Sequence, residues 1–244
     1  MAIQRLKTTR SAADFLPPVK TLRALKKAAA SCRGCDLYKR ATQTVFGEGP
    51  ADAAVVFVGE QPGDYEDRAG RPFVGPAGRM FDKALAEAGL EREEVYVTNA
   101  VKHFKWKPAG KRRKHERPLM SEITACRPWL EAEVDAIRPG IVVCLGATAA
   151  QSVFRRKVAI EKERGAFRPS DLAPATFVTI HPSSIYRHPE KKRRELEYRR
   201  FAREMKLVRE KLAALESENK KSRRGQTDRP GGVSLSFAAR RKSP

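Results

Sequence analysis

The chain has 244 residues, enough for one domain of ordinary size, and its 50 Lys and Arg against 29 Asp and Glu give a formal net charge of +21. Because such an excess of positive charge destabilises a compact fold by self-repulsion, it indicates a polyanionic partner, nucleic acid first and an anionic membrane surface second. No apolar run approaches the roughly 18 residues of a membrane-spanning helix, and no apolar signal region follows the basic start, so we expect a cytoplasmic protein without a membrane partner.

Strands and helices are predicted to alternate from residue 53 onward. Predicted strands cover 53–60 (AAVVFVGE), 95–101 (VYVTNAV), the start of 141–154 (IVVCLGATAAQSVF) and the start of 175–184 (ATFVTIHPSS). Predicted helices cover 78–90, 121–139 with Ser121 as N-cap, and the end of 141–154. This order predicts an α/β fold with a mostly parallel sheet, helices on both faces and functional loops at the carboxyl ends of the strands.

The two ends of the chain differ in composition from the middle. Residues 1–28 are predicted to be a basic, partly helical leader, and residues 29–214 the main domain. The highly charged stretch 190–216 is helix-prone and is expected to pack one apolar stripe on the core. Residues 215–244 are predicted to be a basic, disordered tail.

The four cysteines form two groups. Cys32 and Cys35 form a CxxC pair, whereas Cys126 falls on a predicted helix and Cys144 in a predicted strand. Four thiolates brought together could hold either a [4Fe–4S] cluster or a structural zinc ion, and spacing alone does not choose between them. The alternative is an incidental CxxC with two buried structural cysteines, and Cys144 taken alone is typical of a core residue.

Polar side chains follow three of the predicted strands. They are Glu60, Gln61 and Asp64 after the first strand, Asn99 after the second, and His181 with Ser183 after the last. Any one loop alone could be ordinary capping or turn chemistry. Because the carboxyl ends of parallel strands meet at one edge, the three loops together predict a site in one crevice.

A basic run at residues 111–118 (KRRKHERP) surrounds one of the four histidines, His115. Taken on its residues alone, this run favours a solvated phosphate-binding loop in which the histidine is incidental. A chemical role for His115 therefore needs a further argument.

Several long motifs, in order, resemble those of the family 4 uracil-DNA glycosylases. They are GEQPGDYED with GRPFVGPAG, VYVTNAVKHF, CRPWL, VVCLGATAA and HPSS, across about residues 30–190. Gln61 in GEQPGD and the KRRKH insert further resemble the UdgX branch, which carries a KRRIH-type loop. Lys114 stands where that loop commonly has an apolar residue, and Tyr65 where Gln is expected.

The resemblance implies a three-layer α/β/α fold and a [4Fe–4S] cluster held by Cys32, Cys35, Cys126 and Cys144. The implied partner is uracil-containing DNA, single-stranded or locally opened, because a base stacked inside a duplex is out of reach. We expect a monomer.

The resemblance also assigns residues to substrate binding. Phe73 is expected to stack on the base, and Asn99 to distinguish uracil from cytosine by the hydrogen-bonding pattern of the base edge. Arg112 and Arg113 are expected to hold the flanking phosphates, with Ser183 as a further substrate-binding residue.

The catalytic roles follow from the same resemblance. His181 is expected to donate to uracil O2 as negative charge develops, and neutral His115 to attack C1′ of the sugar and form a covalent adduct. Glu60 would orient and stabilise the His115 ring, Gln61 would replace a water-activating group, and Asp64 would order the loop.

Two alternatives remain open on the sequence. The first is a conventional family 4 glycosylase that turns over with water as the nucleophile. The second is a non-catalytic, zinc-stapled nucleic-acid-binding module, whose affinity would depend only on phosphate contacts.

Overall fold

The computed structural model describes residues 10–227 of the chain. The strands in this part are β1 (Val55–Gly59), β2 (Tyr96–Asn99), β3 (Trp106–Ala109), β4 (Arg112–His115), β5 (Ile141–Leu145), β6 (Phe167–Ser170) and β7 (Ala173–Thr179). The α-helices are α1 (Leu22–Ala29), α2 (Asp64–Ala69), α3 (Pro76–Ala88), α4 (Met120–Ile137), α5 (Ala147–Phe154), α6 (Ile160–Glu163), α7 (Pro182–Arg187) and α8 (Lys191–Thr227). Short 3-10 helices occupy Ala12–Phe15 and Asp36–Lys39.

Five strands form one sheet in the order β2-β1-β5-β7-β6. All pairs are parallel except β6 with β7, as the predicted alternation of strands and helices requires. The chain leaves β1 for β2 on one side and later places β5 on the other side of β1. The connections therefore diverge between β1 and β5, and this is the position at which open α/β sheets form their crevice.

Apolar side chains fill both faces of the sheet. On one face, Phe57 and Phe177 pack with residues of α3, α7 and α8, including Phe201. On the other face, Val56 and Val142 pack with residues of α4 and α5. Every residue of β1 and β5 is buried, which is typical of strands covered on both sides. The predicted α/β fold with a mostly parallel central sheet is confirmed.

Strands β3 and β4 form a separate antiparallel hairpin outside the main sheet. Its turn contains Gly110, with φ of 59°, a left-handed backbone conformation that glycine adopts readily. Trp106 lies opposite His115 in the register. Residues 112–115 of the basic run, which the sequence suggested to be a loop, are therefore the second strand of this hairpin.

Two predicted boundaries near the start of the chain and at α4 differ from the structure. Helix α4 begins at Met120, and its N-cap is Leu119 instead of Ser121, because the Glu122 carboxylate accepts from the Leu119 amide at 2.6 Å. The predicted leader is not separate, since buried Ala12 and Leu25 pack with α4 residues in one core cluster. The apolar core needs these residues.

The predicted tail begins inside a helix. Helix α8 continues from Lys191 through Thr227, so residues 215–227 are helical. Residues 228–244 of the predicted tail, and residues 1–9 of the predicted leader, lie outside the described residues. Within residues 10–227, no helix is both long and apolar enough to cross a membrane.

Candidate active site

A cavity of about 820 Å³ opens at the carboxyl edge of the sheet. Loops after β1, β2, β5 and β7 line it, together with the hairpin and the starts of α2 and α7. Among the side chains expected to form a site, the cavity contains Glu60, Gln61, Asp64, Phe73, Asn99, Arg113, His115, His181 and Ser183. Three loops that the sequence separates by tens of residues therefore meet in one place, as predicted.

The floor of the cavity is apolar on one side and carries an amide on the other. Gly59 ends β1, and a Cβ there would come within 2.3 Å of Asn99 Oδ1 and 2.7 Å of Phe73 Cζ. Glycine is therefore needed for these two side chains to approach each other. In the described residues the Asn99 carboxamide has no hydrogen-bond partner within the protein, so its donors and acceptor are free for a ligand.

Backbone geometry fixes the Phe73 ring in the cavity wall. Phe73 has φ of 58°, which is unusual for a bulky residue and carries a conformational cost. A Cβ at Gly78 would lie 1.6 Å from the Phe73 carbonyl oxygen, so the start of α3 packs directly against this turn. The ring centroid lies 5.9 Å from that of His181, across the floor.

The position of its hydrogen bonds assigns the tautomer of His181. The Ser183 amide donates to His181 Nδ1 at 3.2 Å, and the Ser183 hydroxyl lies 2.8 Å from the same atom. An accepting Nδ1 leaves the single proton of the neutral ring on Nε2. Burial lowers the pKa of His181 to about 4, with Arg187 and His115 adding to the shift, so the ring is a neutral Nε2–H donor near pH 7.

The environment of His115 places its ring proton on Nδ1 and leaves Nε2 as an unprotonated acceptor. Gln61 Oε1 accepts from the Lys105 amide at 2.9 Å and Gln61 Nε2 donates to the Glu116 carbonyl at 2.8 Å, which fixes the orientation of the amide. The second Nε2 hydrogen of Gln61 faces His115 Nε2 at 2.8 Å. Nε2 of His115 therefore accepts, and its proton is on Nδ1.

A carboxylate lies beside the same nitrogen. Glu60 Oε1 is 3.3 Å from His115 Nε2, and the Thr148 hydroxyl donates to Glu60 Oε2 at 2.6 Å from the first turn of α5. Burial lowers the pKa of His115; Glu60 opposes this shift, and Arg187 and Arg117 reinforce it. The ring is neutral in its resting state, yet a carboxylate is ready to pair with any positive charge it gains.

Arg113 is not available for a phosphate, contrary to the sequence-based expectation. Its guanidinium is largely buried and forms ion pairs with Asp64 and Asp67 of α2, and it lies over the Phe104 and Trp106 rings. Because these acidic partners are 49 and 46 residues away, Arg113 clamps the hairpin onto α2. Asp64 serves the same clamp. Arg112, in contrast, is exposed at the hairpin tip.

The four cysteines do not come together. Cys32 and Cys126 share a core cluster with Cys35 packed against it, and burial raises the pKa of Cys126 to about 12 while Cys35 and Cys32 add smaller electrostatic effects. Cys144 lies in the middle of β5 between Val58 and Val178, in a different cluster. Burial alone raises its pKa. Cys144 is thus the core residue of the alternative interpretation.

Polar hydrogens approach two of the three grouped sulfurs. Trp129 Nε1 donates to Cys32 Sγ at 3.2 Å, and the Lys102 amide donates to Cys126 Sγ at 3.3 Å. Such donors suit thiolates that bind a metal. Within residues 10–227, however, no three His, Cys, Asp or Glu side chains are arranged to hold a metal ion. Cys144 therefore lies apart from the other three cysteines, which share one core cluster.

A buried ion pair lies between this cysteine cluster and the cavity floor. The ammonium of Lys102 pairs with Glu133, and both side chains are fully buried. Lys102 Nζ also donates to the Thr98 hydroxyl at 2.6 Å and to the Asn99 carbonyl at 2.8 Å. The end of β2, and Asn99 with it, is held in place by a satisfied polar network.

Some residues in or beside the cavity were not identified from the sequence. Thr148, Arg117, Arg187 and Tyr186 were not singled out, although each lies in or beside a quoted motif. The signal for Thr148 was a hydroxyl in the first turn of α5, after the glycine that follows β5. Tyr186 and Arg187 lie on α7, one residue beyond HPSS, and their exposure could not be inferred from the sequence.

The family model and the similar proteins all indicate the same family. The model of the uracil DNA glycosylase superfamily matches residues 46–206. The chain is 42% identical to the type-4 uracil-DNA glycosylase of Thermotoga maritima over 160 residues, covering 64% of this chain and 79% of the relative. It is 37% identical to that of Sulfurisphaera tokodaii over 177 residues (69% and 77%) and 35% identical to that of Saccharolobus solfataricus over 178 residues (69% and 79%).

Proposed function

We propose that this chain, which belongs to the uracil DNA glycosylase superfamily, excises uracil from DNA and then captures the sugar on His115. Its family and its type-4 relatives make it a uracil-DNA glycosylase, a DNA-repair enzyme. Covalent capture, which is the UdgX type of reaction, is the part we add. The observation that carries it is the neutral imidazole beside Glu60 in the cavity wall.

The cavity suits an everted uracil. Phe73 offers a flat apolar wall, and the free Asn99 amide can accept from N3–H and donate to O4. Cytosine presents the opposite pattern at these two atoms. Binding it would leave buried polar groups unpaired, at about 1–3 kcal/mol for each group.

Bond cleavage places negative charge on the leaving uracil. The Nε2–H of His181 is a neutral donor in the cavity, and its assigned proton position supports a hydrogen bond to uracil O2. A fixed donor stabilises the developing anion without a cost of reorganisation at the moment of reaction.

Capture is a displacement at C1′ of the sugar, with His115 as the nucleophile and uracil as the leaving group. The Nε2 lone pair of His115 forms a bond to C1′, the C1′–N1 bond breaks, and its electron pair leaves with uracil. The ring becomes positively charged, and Glu60 at 3.3 Å offsets that charge. Loss of the Nδ1 proton from His115 and uptake of a proton by uracil complete the exchange.

Turnover with water is the rival reaction, and it is the one suggested by similarity to the type-4 enzymes. A denaturing gel distinguishes capture from turnover after the protein has been incubated with a uracil-containing single-stranded oligonucleotide. We expect one protein–DNA band that survives detergent and heat, with at most one uracil released per chain. Abasic DNA in excess of protein, with no such band, would favour turnover.

Arg113 and Arg112 offer a matched test of the hairpin clamp. We expect Arg113→Ala to slow adduct formation by about tenfold to 10²-fold, because losing the Asp64 and Asp67 pairs lets the hairpin move His115 by up to about 1 Å. Arg112→Ala should leave the rate at saturating DNA unchanged and reduce the salt dependence of binding by about one phosphate contact. Rates from a quenched time course and affinities at several salt concentrations check both; equal effects of the two variants would contradict the clamp.

An iron–sulfur cluster is a further part of the proposal. Cys32, Cys35 and Cys126 would be its protein thiolates, with a fourth ligand other than Cys144. Because no three side chains of residues 10–227 are arranged to hold a metal ion, the three thiols would have to move closer together when the cluster binds. Their shared core cluster, and the N–H groups of Trp129 and Lys102 that donate to Cys32 and Cys126, support it. When bound, such a cluster would supply structural cross-linking of this region.

We expect protein purified without oxygen to be brown and to contain iron and acid-labile sulfide in equal amounts. Cys126→Ser should lose both, whereas Cys144→Ala should keep them because Cys144 lies in the sheet. Metal and sulfide analysis of the two variants tests which cysteines bind the cluster. Loss in Cys144→Ala alone would overturn the assignment, and zinc in place of iron would favour a zinc staple.

A further inference from the structure

Two exposed tyrosines lie at the mouth of the cavity. Tyr65 on α2 is 61% exposed and Tyr186 on α7 is 38% exposed, and both contribute to the cavity lining. Tyr65 stands where the resemblance leads one to expect Gln. None of the chemistry described above uses either ring.

The backbone beneath Tyr65 is held firmly although the ring faces solvent. Asp64 before it pairs with Arg113 and Arg68, and the Glu66 carboxylate after it accepts from the Gly63 amide at 3.0 Å and the Gly75 amide at 2.8 Å. Its Cβ and Cδ2 pack within 3.3–3.4 Å of the position that a Cβ on Gly75 would occupy. Because the backbone beneath it is fixed, the Tyr65 side chain loses little conformational entropy when a ligand covers its ring.

Tyr186 is paired with a cation. The Arg187 guanidinium lies 5.6 Å from the Tyr186 ring centroid, and Arg187 also lines the cavity. An aromatic face beside a guanidinium is the combination that holds a base and its phosphate in proteins that bind single strands.

We propose that Tyr65 and Tyr186 are stacking platforms for the bases that flank the everted uridine, and that they make single-stranded DNA the preferred substrate. The inference rests on the proposed function. Eversion removes a stacking partner from each neighbouring base, and a base in a single strand is free to rotate onto an exposed ring. A base in a duplex stays held by its complement, so it gains much less from the rings.

The test uses a single-stranded oligonucleotide that carries 2′-fluorodeoxyuridine, whose glycosidic bond resists cleavage, flanked by the fluorescent base 2-aminopurine. Binding is compared for the wild type, Tyr65→Ala, Tyr65→Phe, Tyr186→Ala and Leu196→Ala. Leu196 is an equally exposed apolar residue on α8 that does not line the cavity, so it controls for general loss of surface.

Each tyrosine-to-alanine change should weaken single-strand binding by about 5- to 100-fold, and Tyr65→Phe and Leu196→Ala should stay within about twofold. 2-Aminopurine emission should be quenched by the wild type and by Tyr65→Phe and recover with Tyr65→Ala. Unchanged affinity and emission in the alanine variants, or equal weakening for a duplex, would overturn the proposal. Failure of the wild type to release uracil from ordinary deoxyuridine DNA would instead refute the proposed function, and the two results are read separately.

Discussion

Replacing His115 by alanine is expected to abolish the detergent-resistant protein–DNA band while uracil release continues. The band disappears because the alanine side chain has no nitrogen lone pair to bond to C1′. Release continues because the groups that bind the base and stabilise its departure, Phe73, Asn99 and His181, lie on other elements. With the imidazole gone, water can enter beside Glu60 and capture the sugar. The same gel, with free uracil measured in parallel, checks both outcomes.

Lys114→Ala is the matched control for this change. Lys114 is the neighbouring residue on β4, it is exposed, and it faces Lys107 across the hairpin. The hairpin should keep its register, and the band should form at close to the wild-type rate. A band of normal intensity in His115→Ala would assign the attack to another nucleophile.

Replacing His181 by alanine is expected to lower the rate of uracil release by about 10²–10³, equivalent to about 2.7–4 kcal/mol, the effect of losing one fixed oxyanion donor. Uracil-containing DNA should still bind, because His181 acts on charge that appears only as the bond breaks. Single-turnover rates measured against protein concentration separate the maximal rate from the half-saturating concentration.

Two further variants make this result specific. Ser183→Ala should have a much smaller effect, because the amide of residue 183 still donates to His181 Nδ1 and keeps the proton on Nε2. His188→Ala should be close to wild type, since His188 lies at the C-cap of α7 and does not line the cavity. A His181→Ala variant that loses affinity but keeps its maximal rate would contradict the assigned role.

The sheet and the position of the cavity could be predicted because both depend on local patterns. Short apolar runs such as 55–59 and 141–145 are recognisable as buried strands, and in a parallel sheet their carboxyl ends must share an edge. Glu60, Asn99 and His181 lie at or just after the ends of such strands. Their convergence therefore needed no knowledge of long-range contacts.

The role of Arg113 could not be predicted because its partners are remote in sequence. A basic run suggests phosphate binding, and nothing near residue 113 indicates that Asp64 and Asp67 would pair with it. Whether Cys144 joins the other three cysteines could not be predicted for a related reason. Spacing along the chain can be counted from the letters, whereas ligation depends on which core layer each cysteine enters, and Cys144 enters the sheet.

Mass-spectrometric mapping of the residue that carries the sugar tests the central claim most directly. The protein is incubated with a short uracil-containing single strand, the DNA is trimmed by nuclease, and the digested protein is sequenced by fragmentation. The account predicts one modified peptide, containing residues 112–117, with the deoxyribose mass on His115 and free uracil released in equal amount. Uracil release without any modified peptide, or a sugar attached elsewhere, would contradict it.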